Sequence, residues 1–84
     1  MIYRVLVRVM PRTGLLDPQG QAVESALHVL GFAEAAQVHV GKAITLDVTA
    51  ASKDEAVSRA RQMCDKLLAN PVTEDYEIAG VSAA

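Results

Sequence analysis

Tryptophan is absent from this chain, and phenylalanine and cysteine occur once each. With only two tyrosines besides, the interior must be built from Val, Leu, Ile and Ala, where fully burying a large aliphatic side chain contributes about 1.5–3 kcal/mol. The lone Cys64 excludes an internal disulfide and a cysteine-rich zinc site, and it makes a reducing cytoplasm the expected setting. Basic excess is missing too. Eight Lys and Arg are outweighed by ten Asp and Glu, a formal net charge of −2, which supplies no electrostatic footprint for nucleic acid or an anionic membrane. Nor is there a long hydrophobic run: the opening MIYRVLVRV is too short and too charged for a signal peptide or a membrane span.

What is present reads as one domain over residues 1–84. A chain of this size buries only roughly 60–65% of its unfolded surface, so oligomerisation would reinforce its modest core. In YRVLVRV, residues 3–9, Tyr3, Val5, Val7 and Val9 share one face while Arg4, Leu6 and Arg8 share the other, the period-two signature of a strand. After the turn-forming Met10–Gly14 segment, Val23, Ala26, Leu27 and Leu30 fall at helical spacing. This helix has marked ends: Asp17 can cap the first-turn amides, Pro18 suits the first helical position, and Gly31 can take the left-handed conformation that ends it.

QVHVGKAITLDVT predicts a hairpin, with Val38 and Val40 on one arm and Ile44, Leu46 and Val48 on the other facing inward. Gly41-Lys42 between them suits a type II′ turn, in which glycine takes the positive φ. Ser52 followed by Glu55 forms a capping box for a second helix, whose buried side is expected to carry Ala56, Val57, Ala60, Met63, Cys64, Leu67 and Leu68 until Asn70-Pro71 stops it. Val72–Ile78 reads as a short final edge strand, and residues 79–84 as a frayed tail. The order β-α-β-β-α-β predicts an α+β two-layer sandwich of the ferredoxin-like kind, an antiparallel sheet with both helices on one face. Its open face would then carry Arg4, Leu6, Arg8, Gln37, His39, Thr45, Asp47 and Thr49, a mixed surface suited to a partner.

The residues that could carry chemistry do not assemble into a site. GLLDPQG, at 14–20, has two glycines at a helix N-terminus, but Asp17 supplies the anion those amides would take, and the spacing fits neither the P-loop nor the dinucleotide fingerprint. Cys64 lies among apolar neighbours, which raise a thiol's pKa. His28 and His39 lack a second ligand at metal spacing. Lys42, at the predicted hairpin tip, is not demanded by the turn, which leaves it free for a contact.

GLLDPQGQA at 14–22, LGF at 30–32, VHVGK at 38–42 and MCDKLLANPVTEDYEI at 63–78, in that order and over nearly the whole chain, resemble the PurS family, the small subunit of phosphoribosylformylglycinamidine synthase. The resemblance implies a PurS-like fold and a bridging subunit of a glutamine-dependent ligase, not catalytic on its own. It would join a PurL-type synthetase to a PurQ-type glutaminase in purine biosynthesis. It further implies a homodimer or higher homo-oligomer and no cofactor on this chain, with ATP and Mg used by the complex. Partner or oligomer contacts are expected among Arg4, Leu6, Arg8, His39, Lys42, Asn70, Glu74 and Tyr76, and structural caps and turns at Asp17, Pro18, Gly31, Gly41 and Ser52. His39 stands where the family often has Arg, exchanging a permanent charge for a titratable ring.

Other functions share the predicted topology. An ACT-like domain sensing a small ligand is the alternative reading. An acylphosphatase would need an Arg and Asn pair in the loop after the first strand, where PRTGLLDPQG has Arg12 and no Asn. RNA-recognition and copper-carrier domains would need aromatics on the central strands and a CxxC pair, both missing.

Overall fold

The computed structural model describes residues 1–12, 14 and 17–84; Thr13 of the expected turn, and Leu15 and Leu16 of the GLLDPQG stretch, lie outside the described residues. Three strands, β1 (Ile2–Pro11), β2 (Lys42–Thr49) and β3 (Glu74–Ala83), form an antiparallel sheet in the order β2-β1-β3. Helix α1 (Pro18–Val29) lies between β1 and β2, and α2 (Lys53–Met63) between β2 and β3. The class is α+β, as expected, with the order β-α-β-α-β.

β1 is central because both its edges find partners. Val5 pairs with Leu46 on one side and Val81 on the other, and Val7 with Ile44 and Ile78. Its alternation therefore puts Val5, Val7 and Val9, all fully buried, under α2. Ala56, Ala60 and Cys64 of the helix complete the core with Val48, Ala50 and Ala69. The capping of α2 follows the sequence: Ser52 Oγ accepts the N–H of Glu55 at 3.1 Å. The helix then widens into a π-helical turn, Cys64–Leu68, closed by the Ala69 N–H on the Cys64 carbonyl. The wider turn brings Leu68 partly inside and leaves Leu67 82% exposed, so Leu67 does not join the buried side expected for it.

Three expectations are corrected. The segment 37–40 is not a strand: Gln37 takes a φ of 56°, and the N–H groups of Val38 and Val40 donate to the carboxylates of Glu24 and Asp17 in place of a neighbouring strand. His39 and Gln37 accordingly leave the sheet face assigned to them. Gly41 does not take the positive φ of a type II′ turn; it is small because a Cβ there would run into the Val9 carbonyl and the Met10 sulfur. Finally, residues 79–83 are not a frayed tail, since β3 continues through them, with Val81 opposite Val5 and Ala83 opposite Tyr3. A bulge permits this. The register shifts between Leu6, opposite Gly80, and Val7, opposite Ile78, so Ile78 and Val81 both face inward although three residues apart.

A fourth correction concerns layering. Only α2 covers the sheet; α1 has no extensive contact with the sheet or α2 among the described residues. It forms an arm with the returning segment 31–41, and the molecule measures 50 × 26 × 14 Å with a radius of gyration of 16.2 Å, against about 12 Å for a compact domain of this length.

Candidate interaction surface

The open face of the sheet is organised by cross-strand ion pairs. Arg4 Nε donates to Asp47 Oδ1 at 3.0 Å, its direct partner across β1 and β2. Arg8 pairs with Glu77 on β3. The hydrogen bond to Asp47, and then the Asp47 charge, push the Arg4 guanidinium above its ordinary value. Half-buried Leu6 sits between the two pairs, opposite Thr45 and Gly80. Solvent screens these pairs, so they add little net stability; their effect is to fix a patterned, charge-balanced surface around an apolar centre. Asp47 and Glu77 were legible as strand residues, yet only the register shows that they face Arg4 and Arg8.

A second group gathers where β1 ends and β3 begins. The Arg12 side chain donates to the carbonyls of Pro71 and Glu74 and to Asp75. Asn70 Oδ1 accepts the Val72 N–H at 3.0 Å, while the Asn70 N–H donates to Glu74 Oε1 at 2.8 Å. Asn70 and Glu74 therefore shape the turn after the π-helical segment. Lys42 reaches Glu74 at 4.0 Å, and Tyr76 OH donates to Asp65 Oδ1 at 2.9 Å. Burial first, then that bond and the Asp65 charge, push the Tyr76 phenol up.

The third group ties the arm together. Asp17 accepts the N–H of Gly20 at 3.0 Å as the α1 cap, Pro18 opens the helix, and Gly31, with φ 99°, follows it. The same carboxylate accepts the Val40 N–H at 3.0 Å and lies 3.4 Å from His39 Nδ1. The Gly20 and Val40 N–H groups, in that order, hold the Asp17 carboxyl below its ordinary range, and His39 adds to them. The helix N-terminus is thus supplied with an anion from within the chain, which answers the phosphate-loop reading of GLLDPQG.

Asp17 and His39 resemble the orienting half of a hydrolytic triad, but neither histidine hydrogen-bonds a Ser, Thr or Cys among the described residues: His28 Nε2 donates to the Ala35 carbonyl at 2.7 Å. Cys64 is fully buried, and burial, then Asp65, pushes its thiol up. No group of three or more His, Cys, Asp and Glu able to hold a metal occurs among the described residues. No helix among them is long and apolar enough to cross a membrane.

The sequence pattern puts Arg4, Leu6 and Arg8 on one face, as the structure does; it also puts His39 there and Lys42 at a hairpin tip, whereas His39 lies on the arm beside Asp17 and Lys42 opens β2 opposite Val9. It missed the exposed apolar residues of the arm, Val29 at 86% and Leu30 at 72%, because helical spacing marks a stripe without saying what covers it.

Residues 4–82 match the family described as PurS, phosphoribosylformylglycinamidine (FGAM) synthase. The PurS subunit of Bacillus subtilis is 43% identical over 75 residues, 89% of this chain and 88% of that protein. Thermus thermophilus PurS superposes with a TM-score of 0.87 at 34% identity, covering 100% of this chain and 99% of the other. A chain of the PurLQS structure from Thermotoga maritima superposes with a TM-score of 0.84 at 30% identity, covering 98% and 96%. These matches lend no support to the ACT-like alternative. With a match spanning nearly its whole length and relatives this similar, the chain belongs to the PurS family of phosphoribosylformylglycinamidine synthase subunits.

Proposed function

We propose that this chain is the bridging subunit of a phosphoribosylformylglycinamidine synthase complex, holding a PurL-type synthetase and a PurQ-type glutaminase together as a cytoplasmic homo-oligomer. The observation that carries the reading is its likeness, over 98% of its length, to a chain of the PurLQS assembly. In such a complex the glutaminase releases ammonia from glutamine. The synthetase uses ATP and Mg to activate the amide oxygen of formylglycinamide ribonucleotide, which ammonia displaces. The small chain binds none of these; it supplies surfaces.

Two of its surfaces suit that role. The open sheet face offers Arg4, Leu6 and Arg8 to a larger subunit, with an apolar centre inside a charged rim. His39 lies on the arm beside Asp17, and Lys42 opens β2 opposite Val9, on the other face of the sheet, at positions that a second contact would use. Asn70, Glu74 and Tyr76 act through the turn and strand end they shape. Copurification with the candidate synthetase and glutaminase, followed by a glutamine-dependent assay with and without this chain, tests the reading. Coelution and dependence of turnover on the chain are expected; full glutamine-dependent turnover by the two larger subunits alone would refute it.

A further inference from the structure

At the end of the sheet where β1 stops and β3 starts, a cavity of about 210 Å³ lies between the π-helical turn and the first residues of β3. Its apolar side is made by Ala69, Pro71 and the fully buried Cys64. Its polar side carries Arg12, Asp65, Glu74, Asp75 and Tyr76. Most donors there are engaged by the chain itself. Arg12 gives Nη2 to the carbonyls of Pro71 and Glu74 and Nε to Asp75 Oδ1, and Tyr76 gives its O–H to Asp65 Oδ1. The acceptors are less fully used. Among the described residues the second carboxylate oxygens of Asp65, Glu74 and Asp75 accept no hydrogen bond, and Lys42 approaches Glu74 only to 4.0 Å.

A space with anionic acceptors in reserve, an apolar wall and a phenol ring suits a donor-only cation carried on an aliphatic stem. Guanidinium fits better than ammonium, being planar, less strongly hydrated, able to stack on an aromatic ring and able to bridge two carboxylates with its five donors. The cavity wall already holds one such group, since Arg12 lies there on Asp75 and two carbonyls. A metal ion does not fit, because no group of three His, Cys, Asp or Glu able to hold one occurs among the described residues. The cavity also borders the open face of the sheet. Asp75 and Tyr76 line a second depression together with Arg8, Met10 and Glu77, so a protein seated on that face reaches the cavity mouth.

We propose that this cavity receives an arginine side chain of the larger subunit that docks on the open face, its guanidinium between Asp65 and Asp75 and its methylene stem against Ala69 and Pro71. This rests on the bridging role proposed above and names one of its contacts. The three carboxylates offset the repulsion that Arg12 alone would exert on an incoming cation. A tethered guanidinium is the occupant because it arrives with the rest of the interface and loses little further freedom on entering, whereas a free one bears the whole cost of association. Arg and Tyr are also the residues on which interface energy concentrates.

The test uses the full chain and the assembled complex. Asp65→Asn and Asp75→Asn each remove a charge but keep an oxygen for Tyr76 or Arg12, so their circular dichroism should match wild type. Each should weaken association with the larger subunit at least about tenfold and flatten its salt dependence. Asp54→Asn, the same charge change in the first turn of α2, should do neither. In the wild-type complex one arginine of the larger subunit should be protected from phenylglyoxal, and Asp65→Asn should abolish that protection. Wild-type affinity in both cavity variants would overturn the inference, as would an arginine protection pattern that Asp65→Asn leaves unchanged. Equal losses in all three variants would also overturn it, since they would report net charge alone. If wild type and the cavity variants associate equally and support the same glutamine-dependent turnover, the bridging role stands without this contact. Failure of wild type itself to coelute removes the bridging role, and this contact with it.

Discussion

The Asp17 carboxylate accepts the backbone N–H of Val40 at 3.0 Å, closing the arm 23 residues after it opened. One side chain thereby serves as helix cap, as a substitute for a strand partner, and as the partner of His39.

Protonation of Asp17 should open the arm. Its folded-state pKa is depressed, so the stability it contributes is present above the unfolded carboxylate value, about 3.9, and is lost as pH falls through the lower folded value. Amide exchange at Gly20 and Val40 should accelerate in that acid range, while the Val5 and Val7 amides stay protected. In Asp17→Asn one amide oxygen replaces two carboxylate oxygens. Exchange at one of the two sites should then rise about tenfold at neutral pH and lose its acid dependence.

Gly41→Ala should be costly although φ there is ordinary. The added methyl would meet the Val9 carbonyl and the Met10 sulfur, prising β2 from β1 at its first pair, Val9 with Lys42. A loss of about 1–3 kcal/mol is expected from overpacking of this kind, read from urea midpoints. A midpoint equal to wild type would show that the strand start yields freely.

Removing residues 79–84 should unfold much of the chain. Val81 and Ala83 pair with Val5 and Tyr3, and without them the fully buried Val5 is uncovered. The truncated chain should lose more than about 2 kcal/mol by denaturant titration; a true tail would cost nothing measurable.

Cys64 should resist alkylation in the native protein at pH 8 and react promptly once unfolded, because its thiol is buried and its pKa raised. Cys64→Ser should cost about 1–3 kcal/mol by placing a hydroxyl in the buried apolar cluster to which Cys64 belongs. Glutamine-dependent turnover of the assembled complex should be unchanged at temperatures where the variant is folded.

Local chemistry was enough to determine β1, both helix caps and the stop after the second helical stretch, though not the π-helical turn that shortens α2 to Lys53–Met63. Val5, Val7 and Val9 alternate, Asp17-Pro18 and Ser52 sit at helix starts, and Asn70-Pro71 forbids continuation; each rule acts over a few residues. The family was legible for a similar reason, since its motifs are contiguous. The rest depended on distant partners. Whether 37–40 became a strand turned on Asp17 and Glu24 taking its N–H groups, and whether 79–83 was ordered turned on a bulge that cancels the period-two pattern. α1 shows the limit most plainly. Its spacing specifies an apolar stripe, but the sheet was available to only one helix of its own chain, and the direction of the other was decided by a carboxylate and an amide 23 residues apart.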